Sequence, residues 1–227
     1  MAKGVSAATV LRKLGKEYAP PRTFLDHDTT FHLLVATILS AQCTDVRVNI
    51  VTKTLFKKYR GPKDFVATPL EVIQKDIYSC GHYRNKARFL QESGRMILEE
   101  FKGEVPGTME ELLRLPGVGR KTATVILYAA FRKEEGIAVD THVWRVSKRL
   151  GLTKANTQSR IELDLMKQTP REEWGKLHVL LISHGRKVCV ARNRLCEACV
   201  FQRECPSSKV LGRPDLAKIA SSPKIMK

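Results

Sequence analysis

Apolar residues recur every three to four positions along most of this chain. Residues 31–59, FHLLVATILSAQCTDVRVNIVTKTLFKKY, repeat them at helical spacing over two helices. Asp64 and Thr68-Pro69 mark helix entries, and residues 84–101, RNKARFLQESGRMILEEF, read as another helix. Thr108 and Glu111 have capping-box spacing ahead of LLRL. Asp140 precedes THVWRVSKRLGL, for which Gly151 is the expected stop, and REEWGKLHVLLISHGRKV continues the pattern. Sustained alternation of the strand type is absent, and no repeat of fixed period is visible. The pattern reads as mostly helical.

Composition narrows the partners. The 227 residues are 43% hydrophobic, enough for one large domain or two small ones. Forty lysines and arginines against 23 aspartates and glutamates leave a formal charge of +17. That excess favours a polyanion, nucleic acid before an anionic membrane surface. The N-terminal segment lacks the apolar core of a signal peptide, and apolar runs are broken short of a membrane span. The expectation is a cytoplasmic, nucleoid-associated protein with reduced cysteines and no membrane partner. The polar, basic, proline-punctuated stretch 207–227 reads as a flexible tail.

Residues 115–123, LPGVGRKTA, open a helix unusually. Pro116 ends the preceding helix, Gly117 and Gly119 bracket Val118, and the next helix starts at Arg120 with Lys121 in its first turn. Two glycines permit close backbone approach to another molecule, and amides at a helix start seat a phosphate. The plainer alternative is an ordinary helix–helix corner. Lys121 faces the positive dipole end beside Arg120, a placement that favours the neutral amine. A neutral amine is a nucleophile toward a sugar carbon and can form a Schiff base. A carboxylate such as Asp140 could stabilise positive charge on a sugar ring or activate that amine. The alternatives are a solvated lysine and a helix N-cap.

Four of the six cysteines, Cys189, Cys196, Cys199 and Cys205, follow the spacing C-x6-C-x2-C-x5-C. Thiolates at this density in a reducing compartment indicate metal, either zinc or an iron–sulfur cluster. Only one short cysteine pair is present, where zinc ribbons usually show two, and Pro206 follows the last cysteine as in some ferredoxins. Arg186, Lys187, Arg192 and Arg194 make the surrounding loop basic, a pattern suited to phosphate contact.

With these residues assembled, the chain resembles endonuclease III, the iron–sulfur DNA glycosylase/AP lyase family of the helix-hairpin-helix glycosylase superfamily. The resemblance runs from about residue 25 to 206. It is carried by LLVATILSAQCTD (33–45), GEVPGTMEELLRLPGVGRKTA (103–123), VDTHVWRVSKRLGL (139–152), HGRKVC (184–189) and the four-cysteine pattern. It implies an all-α, bilobal fold. A six-helix barrel domain with the helix-hairpin-helix would span residues 25–135. A smaller domain, residues 1–24 and 136–206, would hold a [4Fe-4S] cluster on the four cysteines. It further implies a monomer acting on double-stranded DNA with damaged pyrimidines or abasic sites. Lys121 would attack the sugar C1′ with help from Asp140, and Gln42 would fill the gap left by the extruded base. His82 stands where the family commonly carries an aliphatic wedge, which leaves it a DNA-facing role by stacking. Thr124 stands where the family commonly has asparagine. Trp144 is expected to pack, His142 and His184 to orient helices, and Cys43 and Cys80 to be small core hydrophobes. The rival functions are a monofunctional mismatch or adenine glycosylase, whose members typically lack the lysine, and a non-catalytic DNA-binding metal protein.

Overall fold

Helix boundaries in the computed structural model, which describes residues 4–19 and 22–219, follow the capping residues closely. The described residues form helices and turns with no strand among them, and they divide into two compact units. One unit is Thr23–Glu135; the other combines Met1–Arg22 with Gly136–Lys227.

Thr23–Glu135 is built around α2 (Thr30–Ser40), whose residues Phe31–Leu39 are all buried. A helix that is apolar on every face belongs in the middle of a bundle. Here α3 (Asp45–Lys58), α6 (Tyr83–Glu100) and α8 (Arg120–Phe131) pack against it. Between them, α4 (Pro62–Ala67) and α5 (Leu70–Asp76) are separated by the extended Thr68, which a following proline excludes from helical geometry. A 3₁₀ turn, Tyr78–Cys80, and α7 (Met109–Arg114) complete the unit. Seven α-helical segments therefore occupy the interval where six were expected, because Thr68-Pro69 divides one stretch in two. Leu33, Leu39, Phe65, Ile73, Leu90, Ile97, Leu112, Ile126 and Leu127 form its continuous apolar core. Each such side chain contributes about 1.5–3 kcal/mol on burial.

The other unit packs α11 (Trp174–Lys187) against α9 (Thr141–Leu150) and α1 (Ala7–Glu17), with α10 (Gln158–Lys167) alongside in sequence. Val10, Leu14, Val143, Val146, Leu150, Leu177, Leu180 and Leu181 are its buried anchors. Trp144 packs as expected, 7% exposed. From Val188 to Asp215 the chain runs in turns before α12 (Leu216–Ile219). The expectation of a loose tail from residue 207 needs correcting. Ser207 and Ser208 are each 1% exposed, the Ser207 hydroxyl accepts from the Leu216 amide at 3.1 Å, and Asp215 is held by two arginines. Residues 220–227 lie outside the described residues.

Candidate functional site

The turn between α7 and α8 is held from both sides. Thr108 caps α7 by accepting from the Glu111 amide at 3.3 Å and donating its hydroxyl to the Glu111 carboxylate at 2.6 Å. Leu115 is buried, and the Pro116 carbonyl accepts from the Ser93 hydroxyl at 2.9 Å. The two glycines then do different work. Gly117 has φ +80, and a Cβ there would sit 2.8 Å from a Phe89 ring carbon, so the fold itself demands glycine. Gly119 is the N-cap of α8 at φ −97, and a Cβ there would meet nothing within 4 Å. Nothing inside the protein requires glycine at 119; the open space is room for another molecule.

Helix α8 begins beside that space. Its first turn carries no acidic residue and exposes Arg120 and Lys121, while Ala123, Ile126 and Leu127 anchor its other face in the core. Thr124 is buried, and its hydroxyl donates one turn back to the Arg120 carbonyl at 2.9 Å. Its position is thus a helix-packing one. Val118 departs from the expected DNA contact. Its side chain is 7% exposed within the core, and its amide already donates to the Leu115 carbonyl at 3.1 Å.

Gln42 and His82 occupy two exposed turns of the same unit. Both adopt the left-handed region, at φ 53 and φ 47, next to Gly81 at φ 63. His82 Nε2–H donates to Gln42 Oε1 at 3.1 Å, so the two side chains meet. Gln42 does not cap α3; Thr44 does, accepting from the Arg47 amide. Sequence reasoning missed the group beneath them. Lys86 is 4% exposed, and its ammonium donates to the Leu39 carbonyl at 2.8 Å and the Cys80 carbonyl at 2.6 Å. It joins the end of α2 to the turn before His82. The signal was present, since Lys86 shares a helical face with Leu90, Ser93 and Ile97.

In the other unit Asp140 caps α9, its Oδ1 accepting from the Val143 amide at 2.7 Å. The cap reading holds, and the same bond fixes the carboxylate's direction. Arg145 donates to His142 Nδ1 at 3.2 Å, the Gly185 carbonyl at 2.7 Å and the Cys189 carbonyl at 3.0 Å, tying α9 to α11 and the cysteine loop. Burial lowers the His142 pKa, which favours a neutral ring.

Cys189, Cys196, Cys199 and Cys205 line one pocket together with Arg149, His184, Leu195 and Gln202. Burial pushes the Cys199 thiol up to about 11 and the Cys205 thiol up to about 12, and the neighbouring cysteines add to it. Deprotonating such a group calls for a cationic centre among the sulfurs. Donors already surround them: the Phe201 amide reaches Cys199 Sγ at 3.4 Å, the Ser207 amide reaches Cys205 Sγ at 3.4 Å, and Arg149 Nη1 reaches Cys189 Sγ at 3.6 Å. Around a single zinc, thiolates would lie about 3.8 Å apart. Among the described residues no three ligating side chains converge that way. Four thiols around one pocket suit a polynuclear iron–sulfur group instead.

The basic loop separates on inspection. Arg186, Lys187 and Arg192 are exposed. Arg194 is not: its side chain is 9% exposed, paired with Asp215 and donating to the Ser207 carbonyl at 2.9 Å. The expectation that Arg194 contacts DNA is therefore corrected to a structural role. Asp215 also receives Arg149 through two bonds of 2.9 Å. Arg149 goes on to the Val190 carbonyl at 2.7 Å and the Ala191 carbonyl at 3.2 Å. Nothing in the local sequence marks Arg149 or Asp215, because their partners are 40 to 66 residues away.

Similarity to known proteins agrees with this geometry. Residues 35–171 match the HhH-GPD superfamily of base excision DNA repair proteins. The chain is 50% identical to endonuclease III of Synechocystis sp. over 203 residues, 89% of this chain and 93% of that one. It is 46% identical to endonuclease III of Bacillus subtilis over 209 residues, 92% of this chain and 95% of that one. Among solved structures, a trapped endonuclease III–DNA covalent intermediate matches with TM-score 0.85 and 44% identity, covering 92% of this chain and all of that one. A non-covalent endonuclease III–DNA complex matches with the same TM-score and identity. No helix among the described residues is long and apolar enough to cross a membrane. A lysine-bearing glycine turn on one unit, a cysteine-lined pocket on the other and identity along nine-tenths of the chain converge: this chain belongs to the endonuclease III family of HhH-GPD base excision DNA repair proteins.

Proposed function

We infer that this chain is a bifunctional DNA glycosylase/AP lyase of base excision repair acting as a monomer on oxidised pyrimidines in duplex DNA. The observation that carries the inference is the exposed Lys121 in the first turn of α8, beside a glycine whose outward space is empty. Family membership supplies the reaction class.

A damaged pyrimidine stacks and pairs poorly, so its extrusion costs less than the few kcal/mol a sound base requires. The amides at the start of α8, with Gly117 and Gly119 in the turn before it, hold the backbone phosphate near the lesion. Gln42 and His82 enter the space the base leaves, the imidazole stacking on neighbouring bases. The Lys121 amine attacks C1′, the bond from C1′ to the base breaks, and the base leaves with the electron pair. Asp140, directed by its cap bond, stabilises positive charge on the ring. The resulting Schiff base acidifies C2′; loss of a C2′ proton expels the 3′ phosphate and cuts the strand by β-elimination. Arg186, Lys187 and Arg192 add phosphate contacts. Cys189, Cys196, Cys199 and Cys205 hold a [4Fe-4S] cluster, which when bound supplies the positive centre that keeps the four thiolates and their loop in place.

Borohydride trapping on a duplex with an abasic site tests this reading. The wild type should yield a covalent adduct, and Lys121→Gln should lower adduct formation by about 10³-fold or more. An adduct that survives Lys121→Gln overturns the assignment of the nucleophile; no adduct with wild type overturns the lyase. The purified protein should also be yellow-brown, whereas a colourless protein with stoichiometric zinc would remove the cluster.

A further inference from the structure

Directly below the Gln42–His82 contact lies a thiol pair that base excision does not use. Cys43 follows Gln42, and Cys80 precedes Gly81 and His82. The two thiols share a hydrogen bond. Cys80 is fully buried, while Cys43 is partly exposed at the rim. Lys86 holds its buried ammonium on the Leu39 and Cys80 carbonyls, where its charge acts on both sulfurs. Two adjacent thiols, one reachable and one enclosed, beside a fixed cation form the arrangement of an oxidisable dithiol, because a nearby cation favours the thiolate.

We propose that Cys43 and Cys80 are a modification site for hydroperoxides, whose disulfide form locks the Gln42 and His82 turns together. The Cys43 sulfur attacks one peroxide oxygen; the O–O bond breaks, leaving Cys43 sulfenic acid and hydroxide, which takes up a proton to become water. The Cys80 sulfur then attacks the Cys43 sulfur; the S–O bond breaks, and a second water leaves with the Cys80 proton. Two thiols lose two electrons, and one hydrogen peroxide becomes two waters.

The mechanical consequence rests on the proposed insertion of Gln42 and His82 into the duplex. In the reduced protein the turns touch through one exposed hydrogen bond of 3.1 Å, which can break. A disulfide brings the sulfurs to about 2.05 Å and cannot part. Lys86 already ties the same two segments by backbone carbonyls, so the new bond leaves the turns no separate movement. Oxidised protein should therefore meet damaged DNA with the pair closed.

The test uses the full, cluster-loaded chain. Reduced protein is treated with hydrogen peroxide, blocked with N-ethylmaleimide and digested without reductant. A peptide joining residues 43 and 80 is expected, with affinity for a thymine-glycol duplex reduced by about tenfold or more and restored by dithiothreitol. Cys43→Ser, at a partly exposed position, should keep its affinity through the same treatment, and unchanged visible absorbance rules out cluster damage. Cys43 alkylated with no joined peptide overturns the proposal, as does a joined peptide with unchanged affinity. Reduced protein that fails to bind the duplex defeats the glycosylase reading, while the peptide map still decides the dithiol.

Discussion

The two units of this chain are stabilised by different physics. Thr23–Glu135 has a continuous apolar core, and its few buried polar side chains are satisfied close by: Thr37 on the Leu33 carbonyl, Thr124 on Arg120, Ser93 on Pro116, Lys86 on Leu39 and Cys80. The cysteine-bearing unit buries Lys148, Arg149, His178 and His184 and nearly buries the Arg194–Asp215 pair. Its segment from Val188 to Asp215 has no helix to satisfy its backbone, and side chains take over that task. The contrast shows where each unit is vulnerable. The first tolerates small losses of packing; the second depends on a small number of charges that have no substitutes.

Removing one of those charges should have the largest effect. Asp215→Asn leaves Arg149 and Arg194 buried without their counter-ion, and breaking such an arrangement costs about 3–5 kcal/mol. Thermal unfolding should show the loss, and iron content should fall with it. Preserved stability and full iron would break the comparison. Acid should act in the same direction. Burial by itself would raise the Asp215 pKa, but the Arg149 bonds and the charges of Arg149 and Arg194 outweigh it and hold the carboxyl below its ordinary value. A carboxylate depressed in the folded state contributes stability above about pH 4. That contribution disappears as pH falls through the folded value, and Asp215→Asn should flatten this part of the stability–pH curve.

The glycine turn offers a second, smaller test within the other unit. Gly117→Ala places a Cβ in the left-handed region and against Phe89, so stability should drop by about 1–2 kcal/mol or more. Gly119→Ala should leave the melting temperature unchanged and weaken DNA binding, since its Cβ points into open space. Equal behaviour of the two variants in melting and in binding would remove the distinction between a fold glycine and a ligand glycine. The smallest effect belongs to the basic loop. Arg192→Ala should reduce the logarithmic salt slope of DNA binding by about 0.9, the value of one phosphate contact. Arg194→Ala should instead lower stability and leave that slope alone.

Much of the local structure was legible from the chain. Thr108 with Glu111, Asp140 before its helix and Gly151 after it act over three or four residues, and each is found capping. Val118 was misread because a dipeptide pattern does not reveal which way a side chain turns. Arg194 was misread for a related reason: a basic loop looks solvated until a distant carboxylate is found inside it. Lys86 could have been noticed from its place on an apolar face, but its acceptors lie six and 47 residues away.

By itself the sequence determined the helical class, the caps, the glycine turn with its lysine and the cysteine spacing, because each depends on neighbours within a few bonds or one helical turn. Only the tertiary structure decided which charges are buried, which of two nearby glycines is obligatory, and that Gln42 meets His82 above a pair of thiols. Those outcomes depend on segments brought together across tens of residues, where burial and distance set the energy and no local pattern records either.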